Sequence, residues 1–341
     1  MTLSNTIGSN QAPPPHVGIL QILNGAHVAG AVSCLAQLGV PDLVENGPKS
    51  AEELARQIGA QPDALYRLMR ATACVGVLAE GSDGKFSQTP MSAALCSNAL
   101  RGLAIMGGRE WHGRGWSQLE YCVRTGKQAL DKIYGMPIFE FFSKNAEEAT
   151  IFDAAMTSLS AIDGPAVANA YNFDGINSVV DVAGGRGLLL ATLLQRNPQL
   201  KGTLYEMPHV LEGAKSGALK PFMDRCKLAS GDMFTSVPAG ADAYVMKHII
   251  HDWPDDACIK ILQACRHGVN PGGKLLVVDC VIQPGNAFSP GKFLDLQMLI
   301  FPSGRERTEA QFRDLLATAG WKLSRIIPTA ALDSIVEGVP A

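Results

Sequence analysis

The 341-residue sequence predicts an α/β fold, with a doubly wound parallel sheet in its second half and a mainly helical first half. Three observations carry that prediction. Apolar residues recur at helical spacing from His16 to Leu38 and in further segments as far as Tyr171. Beyond Asn172, short apolar and β-branched runs alternate with helical segments. The first of those runs, Val179 to Val182, enters a glycine cluster that opens a helix. At roughly 150 residues per domain the length accommodates two domains. The expected division is a disordered tail over 1–15, a helical domain over 16–165 and an α/β domain over 166–341.

Composition narrows the function. Hydrophobic residues make up 47% and charged residues 18%, enough for a large core and too apolar for wholesale disorder. The net charge of −3 gives no general basic field for nucleic acid or an anionic membrane. Glycine, proline or charge interrupts the apolar runs, so none is expected to reach the ~18 residues of a membrane helix. Met1 to Pro15 has no lysine or arginine and no apolar run, unlike a signal peptide. The eight cysteines form no C-x-x-C pair and read as reduced, mostly buried residues. These features predict a cytoplasmic protein without nucleic-acid or membrane partners.

In the first half, the helix from His16 to Leu38 ends at Gly39 and Pro41. Its stretch Gly25–Ala31 is rich in small residues, which suits either a dimer interface or an ordinary buried helix. Ser50 followed by Glu53 is a capping box, and a second helix follows from Asp63. Val75 to Thr89 reads as two short strands around Glu80-Gly81-Ser82-Asp83-Gly84. Helix, turn, helix and hairpin together resemble a winged helix. Residues 51–80 set Arg56, Arg67 and Arg70 against Glu52, Glu53, Asp63 and Glu80. A helix facing DNA phosphates should be basic, so a role in dimerisation is favoured over a cofactor-sensing DNA regulator.

The glycine turn, Asp181-Val182-Ala183-Gly184-Gly185-Arg186-Gly187, is the most informative segment. The dinucleotide fingerprint G-x-G-x-x-G/A fails, because its third position falls on Leu190. The Gly-Lys-Ser/Thr of a phosphate loop is also missing. What remains is an acid before the turn, then Gly-Gly-x-Gly, a pattern suited to a cationic nucleoside without phosphates. Glu206, 19 residues beyond Gly187 at the next strand end, can accept both ribose hydroxyls. Asp232 lies at a further strand end beside Met233 and Phe234, apolar groups able to sandwich an adenine. Any one of these acids alone would read as a cap or turn residue.

These motifs occur in order with Glu206-Met207-Pro208-His209-Val210, Gly231-Asp232-Met233-Phe234, Lys247-His248-Ile249-Ile250-His251-Asp252-Trp253 and Gly304-Arg305-Glu306-Arg307-Thr308. The set resembles the class I S-adenosylmethionine-dependent O-methyltransferases, in particular the two-domain group of caffeic acid, hydroxyindole and bacterial polyketide or phenazine enzymes. The resemblance covers roughly residues 17–335. It implies a Rossmann-like methyltransferase domain with a winged-helix-like dimerisation domain before it, a homodimer, and S-adenosylmethionine as cofactor. By resemblance, Gly184, Gly185 and Gly187 approach the methionine part, and Glu206 replaces the usual aspartate at the ribose. Asp181, Met207, Asp232, Met233, Phe234, Lys247 and Ser160 complete the expected cofactor contacts. Ala183 stands where the family usually has glycine.

The resemblance also supplies catalytic roles. His251 matches the general base of the His-Asp-Trp motif, a group whose ordinary pKa near 6.5 lets it accept a proton from a phenol. Glu306 and Asp279 match the acids that support it, with Asp279 shorter than the glutamate of plant relatives. Met156 and Met298 would flank the acceptor ring. Asp252, Phe301 and Trp111 are further candidate contacts, and by themselves all such residues fit a core equally well. His248 and His251 are three residues apart, yet without a third ligand they make a weak metal site, and no metal is expected. The predicted reaction is methylation of a hydroxyl on a small aromatic molecule.

Overall fold

The computed structural model describes residues 14–97 and 99–341. Residues 1–13 of the expected tail lie outside the described residues. The chain divides into two compact units, one comprising residues up to 114 with 145–159 and the other 115–144 with 160–341. In place of the single break expected at residue 165, the chain passes between the units three times, with the segment 115–144 belonging to the second unit.

In the first unit, α1 (Pro15–Gln37) runs unbroken through Gly18, Gly25 and Gly30. A glycine costs a helix only about 1 kcal/mol, so these residues do not end it. This corrects the expectation of short apolar runs: α1 is long and apolar enough to cross a membrane by length and composition alone. Its first half is open, with Ile19, Leu20, Ile22 and Leu23 between 57% and 73% exposed. A side chain at Gly25 or Gly30 would meet nothing within 4 Å, so these two positions pack on no neighbour among the described residues. The capping box forms as expected at α2 (Ala51–Ile58): the Ser50 hydroxyl accepts from the Glu53 N–H, and the Glu53 carboxylate accepts from the Ser50 N–H. After α3 (Pro62–Ala73) comes the predicted hairpin, Leu78–Glu80 against Phe86–Gln88. Leu35, Leu54, Leu65, Met69 and Phe86 form the core beneath it. Arg109 grips Glu147 and Glu148 at the start of α4 (Ala146–Ala170).

The second unit is built on one seven-stranded sheet. Its strands are β1 (Ser178–Val182), β2 (Lys201–Glu206), β3 (Cys226–Ser230), β4 (Ala241–Lys247), β5 (Val269–Asp279), β6 (Trp321–Pro328) and β7 (Ser334–Pro340). The spatial order is β6-β7-β5-β4-β1-β2-β3. Strands β1 to β5 pair in parallel, whereas β7 is antiparallel to both β5 and β6. The wholly parallel sheet expected from the sequence is therefore mixed. The reason is local, because the short connection 329–333 can join β6 to β7 only as a hairpin.

The parallel strands are joined by crossover helices that include α5 (Leu188–Arg196) after β1 and α6 (Asp255–Gly268) after β4. Leu190, Leu193 and Leu194 of α5 are buried against Val179 and Leu204. Ile261, Leu262 and Cys265 of α6 cover the opposite face with Tyr244, Val277 and Trp321. α7 (Pro290–Ile300) and α8 (Glu309–Thr318) follow β5. This architecture delivers the carboxyl ends of β1, β2, β4 and β5 to one edge, where open α/β sheets bind ligands. The reversed β7 starts at that same edge, with Ser334 paired to Asp279.

Candidate active site

β1 is flanked by β2 and β4 and delivers the glycine turn to the ligand edge. Asp181 is buried, and neither of its carboxylate oxygens has a hydrogen-bond partner. Burial pushes its pKa up to about 7. A Cβ on Gly184 would lie 2.4 Å from that carboxyl group, and one on Gly187 (φ +76°) would lie 2.3 Å from Leu219. Gly185 (φ +58°) instead faces open space. Ala183 takes a left-handed backbone (φ +54°), where a Cβ costs about 1 kcal/mol and glycine would be free. Glu206 closes the turn from β2, accepting the Gly185 N–H at 3.3 Å and the Met207 N–H with its other oxygen.

The neighbouring strand end of β3 carries Asp232, which accepts from the Phe234 N–H and the Thr235 hydroxyl. Phe234 meets the Trp253 ring edge-on, with centroids 4.9 Å apart. Met207, next to Glu206, is half exposed.

The tightest contacts surround His251. It sits on a single helical turn, Ile250–Asp252, after β4, and is 7% exposed. A Cβ on Gly304 would lie 1.8 Å from the His251 carbonyl oxygen, so only glycine lets that segment close over it. The Arg305 N–H donates to that same carbonyl at 2.9 Å. Glu306 meets His251 Nδ1 at 2.7 Å. The buried Arg307 guanidinium donates to the carbonyls of Ile250 and Trp253 and pairs with Asp255 at 2.7 Å. Thr308 caps α8. Each residue of Gly304-Arg305-Glu306-Arg307-Thr308 thus has a separate mechanical reason to be there.

Burial alone would lower the His251 pKa. Asp252, whose Oδ1 lies 3.5 Å from Nε2, together with Glu306 and Asp279, outweighs burial and raises it to about 10. Burial in turn raises Asp252 to about 6 and Asp279 well above the usual carboxylate range. Asp279 does not bond the imidazole. Its Oδ1 accepts the main-chain N–H of His248 at 3.1 Å, so its influence on His251 is through charge alone.

Lys247 ends β4 with its ammonium 3.1 Å from His248 Nδ1 and 3.7 Å from Asp163. Ser160 lies one turn before Asp163 on α4. Among the described residues, donor atoms of Asp163, His248 and Asp333 fall within 4.8 Å of one another. Lys247 already presents its fixed cation to His248 and Asp163, and His248 Nε2 is engaged with Asp333 at 2.7 Å. Met298 and Phe301 are buried on and just after α7, where the Phe301 ring packs so closely on Gly115 that a Cβ there would be 2.3 Å away. Met156 and Trp111 belong to the first unit, where the Trp111 N–H donates to Glu148. Sequence reasoning missed Asp163 and Asp333. Asp163 sits in an apolar helical pattern and Asp333 in a short loop far downstream, so neither carries a local signal.

The sheet order, the glycine turn and the buried histidine–carboxylate pair define the class: an S-adenosylmethionine-dependent O-methyltransferase. The chain belongs to the O-methyltransferase family, whose domain model matches residues 116–322, and an O-methyltransferase dimerisation domain matches residues 20–98. It is 38% identical to the phenazine O-methyltransferase PhzM of Lysobacter antibioticus, over the whole of both chains. The solved mitomycin 7-O-methyltransferase MmcR superposes with a TM-score of 0.86 at 37% identity, over 96% of this chain and 98% of that one. NcsB1 of neocarzinostatin biosynthesis, solved with S-adenosyl-L-homocysteine and 1,4-dihydroxy-2-naphthoic acid, gives 0.78 at 30% identity, over 96% and 100%.

Two outcomes follow. In the cofactor-free protein, an NMR titration of the His251 imidazole is expected to give a midpoint raised to about 10, with the ring charged at neutral pH. Adding the cationic cofactor lowers that midpoint, while S-adenosylhomocysteine, whose sulfur is neutral, lowers it less; a cofactor-free midpoint at 6.5 would contradict the arrangement. Separately, Gly304→Ala forces the 304–308 segment off His251. It abolishes turnover and lowers the melting temperature, whereas Gly185→Ala leaves the melting temperature nearer that of the parent.

Proposed function

We propose that this enzyme methylates a hydroxyl group of a small aromatic molecule, with His251 as the proton acceptor. The observation that carries the reading is the buried His251–Glu306 contact at 2.7 Å, which leaves Nε2 as the ring atom available to the acceptor. Glu306 accepts a hydrogen bond from the Nδ1–H and so, in the neutral ring, fixes the tautomer whose Nε2 lone pair is free. Asp252 and Asp279 stabilise the imidazolium that forms when His251 takes the hydroxyl proton.

The orphaned Asp181 carboxylate and the open glycine turn fit a cationic nucleoside. Glu206 would hold the ribose, Asp232 to Phe234 the adenine, and Lys247, Ser160 and the three glycines the methionine end. The cofactor supplies an activated methyl group on a sulfonium. The chain therefore has to orient the acceptor, exclude water and remove one proton. The acids around His251 match the net change, because the site loses a positive sulfonium and gains a positive imidazolium. Met298 and Phe301 offer an apolar wall to an aromatic ring. The relatives named above take a phenazine, a mitomycin and a naphthoic acid, which supports the aromatic acceptor.

The chain carries a dimerisation domain. We infer a homodimer that covers the exposed apolar side of α1, and a cytoplasmic location consistent with eight free cysteines. Screening hydroxylated aromatics by mass spectrometry tests the activity: a gain of one methyl group on oxygen is expected, and methylation only of an amine or thiol would overturn the assignment. His251→Ala should abolish that gain while calorimetry shows nearly unchanged S-adenosylhomocysteine affinity. Leu23→Glu, placing a charge on the open side of α1, should shift the sedimentation coefficient from dimer toward monomer; an unchanged dimer would place the interface elsewhere.

A further inference from the structure

A second buried histidine lies against the first. The His248 and His251 rings are stacked with centroids 5.1 Å apart and planes 12° from parallel. Both ends of the His248 ring are held, Nε2 by Asp333 at 2.7 Å and Nδ1 by Lys247 at 3.1 Å. Its main-chain N–H donates to the Val278 carbonyl and to Asp279 Oδ1, both at 3.1 Å. Its backbone is left-handed (φ +58°), a conformation that residues with a Cβ seldom adopt unless the surroundings impose it. By contrast, the His251 ring has one short hydrogen bond, to Glu306, and a looser 3.5 Å contact with Asp252. A single hydrogen bond leaves a ring free to swing about that axis.

We propose that His248, clamped by Asp333 and Lys247, is a positioning residue whose ring face fixes the plane of His251 and so aims Nε2 at the acceptor. The clamp also sets its chemistry. The Lys247 ammonium has no lone pair to accept with, so it donates to Nδ1 and the ring proton resides on Nε2, donated to Asp333. A neutral ring can lie against an imidazolium without repulsion. Burial, together with the Lys247 charge, keeps it neutral, with a pKa lowered to about 4 against the pull of Asp333. The groups facing His251 are Asp252 on its own turn, His248, Asp279 on β5, Glu306 before Arg307 and Asp333 before β7, while the cations Lys247 and Arg307 act on Asp333 and Asp279. Asp333 therefore acts twice, holding the spacer and contributing one negative charge to the base. Hydrogen bonds and stacking within one buried cluster give this pair a role that neither the glycine turn nor the Gly304–Thr308 segment performs.

The proposal rests on His251 as base, and His251→Ala separates the two: residual turnover in that variant would remove the base itself. With the base established, three variants test the spacer. His248→Asn tolerates the left-handed backbone but has no ring. It should lower kcat by about 10- to 100-fold, with the S-adenosylhomocysteine Kd within about threefold. His248→Phe restores a ring without its hydrogen bonds and should recover part of that loss. Asp333→Asn removes one carboxylate charge facing His251, so the acid limb of the pH–kcat profile should move to lower pH. Parent-like kcat in His248→Asn, or equal losses of kcat and cofactor affinity with no recovery in His248→Phe, would overturn the proposal. If the His248 variants fail to fold, Asp333→Asn decides alone, and an unmoved acid limb overturns the proposal. Nitrogen NMR of the full chain gives an independent reading: His248 is expected as the Nε2–H tautomer and not titrating between about pH 6 and 9, and a titrating ring or the Nδ1–H tautomer would overturn the clamp.

Discussion

The contact on which the catalytic half depends is the closure of the 304–308 segment over the turn that carries His251. It is a backbone event first. Gly304 lets two main chains approach within a distance that no other residue permits, and Arg305 then bonds the histidine's own carbonyl. Only after that approach can Glu306 reach the ring and Arg307 collect the carbonyls of Ile250 and Trp253. A buried guanidinium is costly unless its donors are matched, and here three acceptors and one carboxylate ion pair are arranged by the same turn. The ion pair and the ring contact therefore stand or fall together.

Charge gives the second organising constraint. Asp181, Asp252, Asp279, Glu306, Asp163 and Asp333 line the ligand edge of one sheet, most of them buried, against Lys247, Arg307 and His251 as cations. Such an arrangement is expensive in an isolated protein: burial first, and neighbouring carboxylates second, raise the pKa values of Asp163, Asp181 and Asp252. An acidic pocket of this kind is suited to a cationic ligand.

Much of this could be read from the sequence, and the parts that could not have physical causes. The capping box at Ser50 and Glu53, the hairpin around Gly84 and the strand before the glycine turn are set by neighbours a few residues apart. The positions of Asp181, Glu206, His251 and Glu306 followed from ordered motifs. The antiparallel return of β7 was not legible, because it depends on a five-residue connection whose reversal has no glycine or proline signal of its own. Asp333 and Asp163 were invisible for the same reason, since tertiary register alone brings them to His248 and Lys247. Asp279 was assigned to the imidazole by position in a motif, yet its bond goes to a main-chain N–H one turn away. The span of α1 was legible, but its apolar length was not, because its glycines were read as interruptions of the apolar run where each is only a small cost.

The reversed last strand also constrains the birth of the enzyme. β7 lies between β5 and the edge strand β6, so β6 has no partner in the sheet until β7 is made. The polar lining of the site comes from segments as far apart as α4 and the residue before β7. A chain still emerging from the ribosome thus has its glycine turn and His251 long before it has Asp333 or the strand that seals β5. The acidic cluster is completed only once Asp333 has been made, which defers assembly of its buried charges until the chain has grown well past His251.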